Sequence, residues 1–166
     1  ALIGARAGEA RSFSVRGEQG MLSGVPEHLS SRWGSDIKEE LLASPLVTRT
    51  LTDVLVEVRA PRFVHYVSID VEGLELEVLQ GLDLARFEVG AFTIEHNFQE
   101  PLRSDIRRHL EAHGYVHVLA LAHDDCYLHP RVLEAVRGRW AWQRARRGGV
   151  SRRVGFGGVV ESETLG

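Results

Sequence analysis

Two acidic groupings, Asp70-Val71-Glu72 and Glu95-His96-Asn97, hold the residues of this 166-residue chain whose types and placement can do chemistry. Each follows an apolar run, Phe63 to Ile69 in the first case and Ala91 to Ile94 in the second. Three chemistries fit. A carboxylate or His96 can take the proton of a substrate hydroxyl. Asp70, Glu72, Glu95 and His96 can hold a divalent cation that acidifies that hydroxyl. The same groups can simply hydrogen-bond a polyol. A plainer account covers part of the set. Acids in the first turn of a helix interact with its dipole by roughly 0.3–1 kcal/mol each, and this accounts for Glu72, Glu75 and Glu77 on a solvated face. It does not account for Asp70, whose carboxylate at the end of an apolar run is costly without a partner. For His96, a hydrogen-bonded structural histidine is as good a reading as a ligand.

The elements that must position these groups read as a strand over 63–69 and a helix closing at Gly81, with Leu76, Val78, Leu79 and Leu82 at helical spacing. A turn at Phe87–Gly90 then leads into the strand 91–94. A strand feeding a helix through a carboxylate-bearing turn is where open α/β sheets bind ligands, beyond the carboxyl end of the strand. Two consecutive parallel strands place both polar triplets at the same end. Upstream, Ala1–Ile3 and Arg11–Val15 flank a glycine-rich turn, and 17–35 is a long polar loop that reads first as a plain surface excursion, although its Met21, Leu22, Val25 and Trp33 can form a lid. Leu46–Leu51 has strand character, and Thr52 can cap a short helix, Asp53 to Arg59, that buries Val54, Leu55 and Val58. Downstream, Pro101 opens a helix with Leu102, Ile106 and Leu110 on its apolar stripe, ended by Gly114. Tyr115–Leu121 and Cys126–Leu128 form a hairpin about a turn at His123-Asp124-Asp125, and Pro130–Arg147 is a terminal helix whose arginines read as a solvated end. This order predicts an α/β fold with a mostly parallel sheet and an antiparallel C-terminal hairpin. The domain runs over 1–147, with a glycine-rich tail over 148–166 that is expected to be poorly ordered.

Composition narrows the partners. A net charge of -3 gives no reason to expect nucleic acid or an anionic membrane. The single cysteine, Cys126, excludes an intrachain disulfide framework and a cysteine-based zinc cluster, and suits a reducing, cytoplasmic compartment. Lys38 is the sole lysine, which reflects base composition rather than a demand for bidentate anion binding. The histidines at 28, 65, 109, 113, 117, 123 and 129 lack metal-ligand spacing. Neither a Gly-x-Gly-x-x-Gly loop nor a P-loop is present, and Gly155-Phe156-Gly157-Gly158 follows no strand.

Ser68-Ile69-Asp70-Val71-Glu72-Gly73, Glu75, Leu79-Gln80-Gly81 and Ile94-Glu95-His96-Asn97 together resemble the FkbM family of S-adenosylmethionine-dependent methyltransferases. The opening with Gly4, Gly8, Glu9 and Phe13, the Leu22-Ser23-Gly24 loop and Thr50-Leu51-Thr52-Asp53 resemble its preceding segments, so the likeness spans roughly 1–128. Thr52 stands where the family usually has an acid. The resemblance implies a Rossmann-like class I methyltransferase fold, N-terminally incomplete, because the glycine-rich first turn and the ribose-binding acid would precede Ala1. The segment alone is then expected to bind S-adenosylmethionine poorly and to be inactive. It implies methyl transfer to a hydroxyl of a sugar or natural-product scaffold, with Asp70 and Val71 near the cofactor and Glu72, His96 and Asn97 near the acceptor. The base or metal ligand would come from Asp70, Glu72, Glu95 and His96, and Mg2+ is admitted by analogy with related O-methyltransferases. The competing readings are a truncated remnant serving as an interaction module and, more weakly, a carboxylate-pair hydrolase on Asp70 and Glu95.

Overall fold

The computed structural model describes residues 2–16, 23–26 and 39–146. Met21, Leu22 and Trp33 of the long polar loop, the tail 148–166 and the side chains of Trp140 and Trp142 lie outside the described residues.

The main sheet has the order β6-β7-β9-β8, formed by Phe63–Ile69 (β6), Glu88–Glu95 (β7), Val116–Leu121 (β8) and Asp124–Leu128 (β9). Near the amino end, Leu2–Ile3 (β1) and Ala10–Arg11 (β2) pair with either side of Leu46–Arg49 (β5), and Ser14–Arg16 (β3) pairs with Glu39–Leu41 (β4). The helices are Leu51–Glu57 (α1), Glu75–Gln80 (α2), Leu102–Ala112 (α3) and Pro130–Arg146 (α4).

The expected mostly parallel sheet needs correcting. Among the described residues β1–β5 and β6–β7 are parallel, while β2–β5, β3–β4, β7–β9 and β8–β9 are antiparallel. A parallel pair needs a crossover, which α2 supplies between β6 and β7, whereas the short turn after Leu121 can only return β9 antiparallel to β8. The C-terminal hairpin is present, but β9 rather than β8 lies beside β7.

Three local expectations shift for physical reasons. Thr50, not Thr52, caps α1: its hydroxyl accepts from Asp53 N–H (3.0 Å) while Asp53 accepts from Thr50 N–H (3.1 Å). That reciprocal box satisfies two otherwise orphaned donors. Thr52 instead donates to the Gly81 carbonyl (2.8 Å) and accepts from Asp83 N–H (2.7 Å), stitching α1 to the end of α2. Val58, expected to be buried, is exposed at the C-terminal end of α1. Finally, Phe87–Gly90 is no turn, since β7 begins at Glu88. Gly90 marks close strand approach: a Cβ there would lie 2.7 Å from the His65 carbonyl oxygen.

The core joins all of these parts. Leu79 from α2, Ile106 and Leu110 from α3, and Phe92, Ile94 and Tyr127 from the sheet are fully buried together. Ile3, Leu51 and Leu55 pack against them from the amino-terminal elements. One body therefore holds the carboxyl ends of β6 and β7 in place.

Candidate active site

The register of β6 and β7 sets Ile69 beside Ile94, both buried, so the next residues of each strand, Asp70 and Glu95, are neighbours. Their side chains share a hydrogen bond. Glu95 is pushed up to about 7, first by burial, then by the charge of Asp70 and that shared hydrogen bond, and further by Glu72 and Glu75. Two acids within contact cannot both ionise cheaply. Glu72 lies in the turn beyond β6 with a left-handed backbone (φ 56°), followed by Gly73 (φ 103°). Its carboxyl is also raised, by burial before the charges of Asp70 and Glu75.

Glu75 holds this turn together. Its Oε1 accepts from Val71 N–H (3.1 Å) and Gly73 N–H (3.0 Å). The expectation of an ordinary solvated first-turn acid is overturned: Glu75 is 2% exposed, and its Oε2 is buried with no hydrogen-bond partner among the described residues. A short helix docked by Leu74 and Leu79 has drawn its first residue inward, where the turn amides need an acceptor. Val71 packs partly against the core. Asn97, also left-handed (φ 46°), donates from Nδ2 to Glu95 Oε2 at 2.6 Å.

His96 does not join this group. Side chains alternate across a strand, and burial alternates accordingly along 91–96: Phe92, Ile94 and His96 are buried, whereas Ala91, Thr93 and Glu95 are half-buried. His96 therefore continues the core face while Glu95 takes the other. Its Nδ1 accepts from Phe98 N–H (3.0 Å), and its Nε2 lies 3.8 Å from Asp125 Oδ1. Burial, and then Arg103, push its pKa down despite Asp125, Asp124 and Glu100, so it stays neutral. The expected single cluster of Asp70, Glu72, Glu95, His96 and Asn97 thus divides, with His96 on its own side.

Behind His96 lies a set of residues that spacing did not reveal. Asp125, expected in a hairpin turn, is a buried strand residue that accepts two bonds from Arg103 (2.8 Å each) and one from His117 Nε2 (2.9 Å). Burial alone would raise its pKa, but the bonds from Arg103 and His117 override this and hold it at about 2. The alternation of Asp125 with Tyr127 on one face of β9 is the signal that could have found it.

Carboxylates at the ends of two parallel strands, on a core that wraps both, stand where open α/β sheets place their ligands. The model of the methyltransferase FkbM domain matches residues 3–116, and the chain belongs to that family of methyltransferases. No curated protein and no solved structure gives a match to the chain.

The group this family implies can be tested against the residues. Asp70, Glu72, Glu75 and Glu95 form no salt bridge among the described residues, and Glu75 Oε2 is an orphaned buried acceptor. That surplus of negative charge fits a positively charged sulfonium or ammonium group. It does not fit Mg2+ as well: no group of three or more His, Cys, Asp or Glu among the described residues has an arrangement that could hold a metal ion. No helix among them is long and apolar enough to cross a membrane.

Proposed function

We propose that this chain carries the acceptor side of an S-adenosylmethionine-dependent O-methyltransferase of Rossmann-like fold, acting on a hydroxyl of a sugar or natural-product scaffold. The observation that supports this reading is Glu95, held near pH 7 against Asp70 where two strands end. A general base works best when its pKa lies near the working pH, and Glu95 meets that condition where an ordinary carboxylate would be too weak.

S-adenosylmethionine, when bound, supplies an electrophilic methyl group on a positively charged sulfur. Asp70 and Val71 border the cofactor side in this reading, and the carboxylates offset its charge. Glu95 takes the proton of the acceptor hydroxyl as the oxygen attacks, and Asp70 shares that proton through the hydrogen bond between the two side chains. Glu72 and the Asn97 amide orient the acceptor. His96, buried and with Nδ1 already engaged, takes no proton from substrate.

The test uses the full-length protein, methyl-labelled cofactor and a panel of hydroxylated sugars. Label should pass to an acceptor, and Glu95→Gln should lower kcat by about 10²–10⁴-fold. The wild-type rate should rise with pH through about 7, as Glu95 loses its proton. Full activity in the variant, or no transfer to any acceptor as expected of a remnant or interaction module, would overturn the reading.

A further inference from the structure

We propose that Asp125, Arg103 and His96 form a positioning latch that holds the Asn97 amide on Glu95, so that the state of the base is set from the other face of the sheet. Its kinetic consequence rests on the reading of Glu95 as the base; its structural part does not.

The latch begins at Asp125, which is 1% exposed and sits beside Ile94 in the register of β7 and β9. The Arg103 fork, from the first turn of α3, and His117, from β8, converge on its two oxygens. The carboxylate is ionised and can only accept, so His117 donates from Nε2. The neutral His96 ring carries its proton on Nε2, because Nδ1 accepts from Phe98, and that Nε2 faces Asp125 Oδ1 at 3.8 Å. Around this ring the chain makes a tight turn. His96 N–H and Asn97 N–H both donate to the His123 carbonyl (2.7 and 3.3 Å), Gln99 N–H to the His96 carbonyl (2.7 Å), and Arg103 N–H to the Gln99 carbonyl (2.9 Å). Asn97 and Phe98 are both left-handed, at φ 46° and 56°. A bulky residue such as Phe adopts that conformation only where its surroundings impose it.

The consequence falls on Glu95. The titratable groups facing it are all acids: Asp70 from the end of β6, Glu72 from the turn, Glu75 from α2, and Asp124 across from it on β9. Against that company the Asn97 amide donates to Glu95 Oε2 at 2.6 Å. A donor favours the ionised carboxylate. Loosening the latch frees Asn97 and leaves Glu95 harder to deprotonate. Asp125, Arg103 and His96 touch no reacting atom in this account; they act through Asn97.

The experiment follows the Glu95 carboxyl carbon by NMR titration of the full-length, glutamate-labelled protein, its signal identified by loss in Glu95→Gln. The wild-type midpoint should lie near 7. Asn97→Ala should move it up by about one pH unit. Asp125→Asn should move it the same way. Arg103→Lys, which keeps the charge but loses the fork, should move it less, and it decides the matter if Asp125→Asn does not fold. The latch is overturned if Asn97→Ala leaves the midpoint in place, or if Asn97→Ala shifts it while the folded latch variants do not. The pH profile of kcat/KM separates the two claims. Shifted midpoints with an unmoved profile would leave the latch standing and remove Glu95 as the base.

Discussion

In the proposed reading Glu95 is both a useful base and a tolerable neighbour to Asp70, and these demands oppose each other. Its folded pKa of about 7 lies above the ordinary carboxylate value, so the native state keeps a proton that the unfolded chain gives up. The stability this contributes is complete below the unfolded pKa, roughly 4.3, and is lost as pH rises through about 7. Glu95→Gln carries no such loss. Its Tm relative to wild type should therefore climb from roughly pH 4.3 to about 7, between the unfolded and folded values, and level off above that, a trend that thermal unfolding across pH would check. The residue-scale pairing of Asp70 with Glu95 was legible, because two apolar runs each stop at an acid. The role of Glu75 was not. A first-turn acid reads the same whether it faces water or reaches back to cap two turn amides, and only the docking of α2 separates the cases.

Helices and strands here depend on a few polar fastenings. Removing the α1 cap by Thr50→Ala should cost about 1 kcal/mol in denaturant unfolding, since Asp53 N–H loses its acceptor while the backbone N–H of residue 50 keeps its bond to the Asp53 carboxylate. Asp125 fastens α3, β8 and β9 at once. Asp125→Asn should cost about 3 kcal/mol at pH 7, the lower end for a broken buried pair because Arg103 keeps some solvent. With its pKa depressed to about 2, the stabilisation by Asp125 is present above the ordinary carboxylate range and lost as pH falls through about 2. The gap between variant and wild type should therefore shrink in acid, as urea titrations at pH 7 and below pH 3, roughly one unit above that midpoint, would show. Elements of this kind were found from the sequence to within a few residues where periodicity ran long, as in α3. They slipped where one residue type had two meanings: glycine at 90 signalled strand contact rather than a turn, and the first threonine, not the second, won the cap.

At the scale of the molecule, no strand of the amino-terminal sheets pairs with a strand of the main sheet among the described residues, and apolar packing with a few side-chain hydrogen bonds to α2 joins the two parts. Gly81 lies at that junction. A Cβ there would sit 2.3 Å from the Gly4 carbonyl oxygen and 3.4 Å from Thr50, although its backbone (φ -82°) would accept any residue. Gly81→Ala should therefore destabilise by about 1–3 kcal/mol through overpacking, seen as a lower denaturation midpoint with helix content retained. The sequence by itself determined the α/β class, the two strands that end in acids and the family to which the chain belongs, because apolar runs and short motifs are local patterns. Tertiary structure alone decided that His96 turns to the core while Glu95 turns to the site, that β9 lies next to β7, and that Asp125 is buried. Those outcomes depend on which face of a strand meets packed side chains, and a partner about thirty residues away fixes that, not the neighbours along the chain.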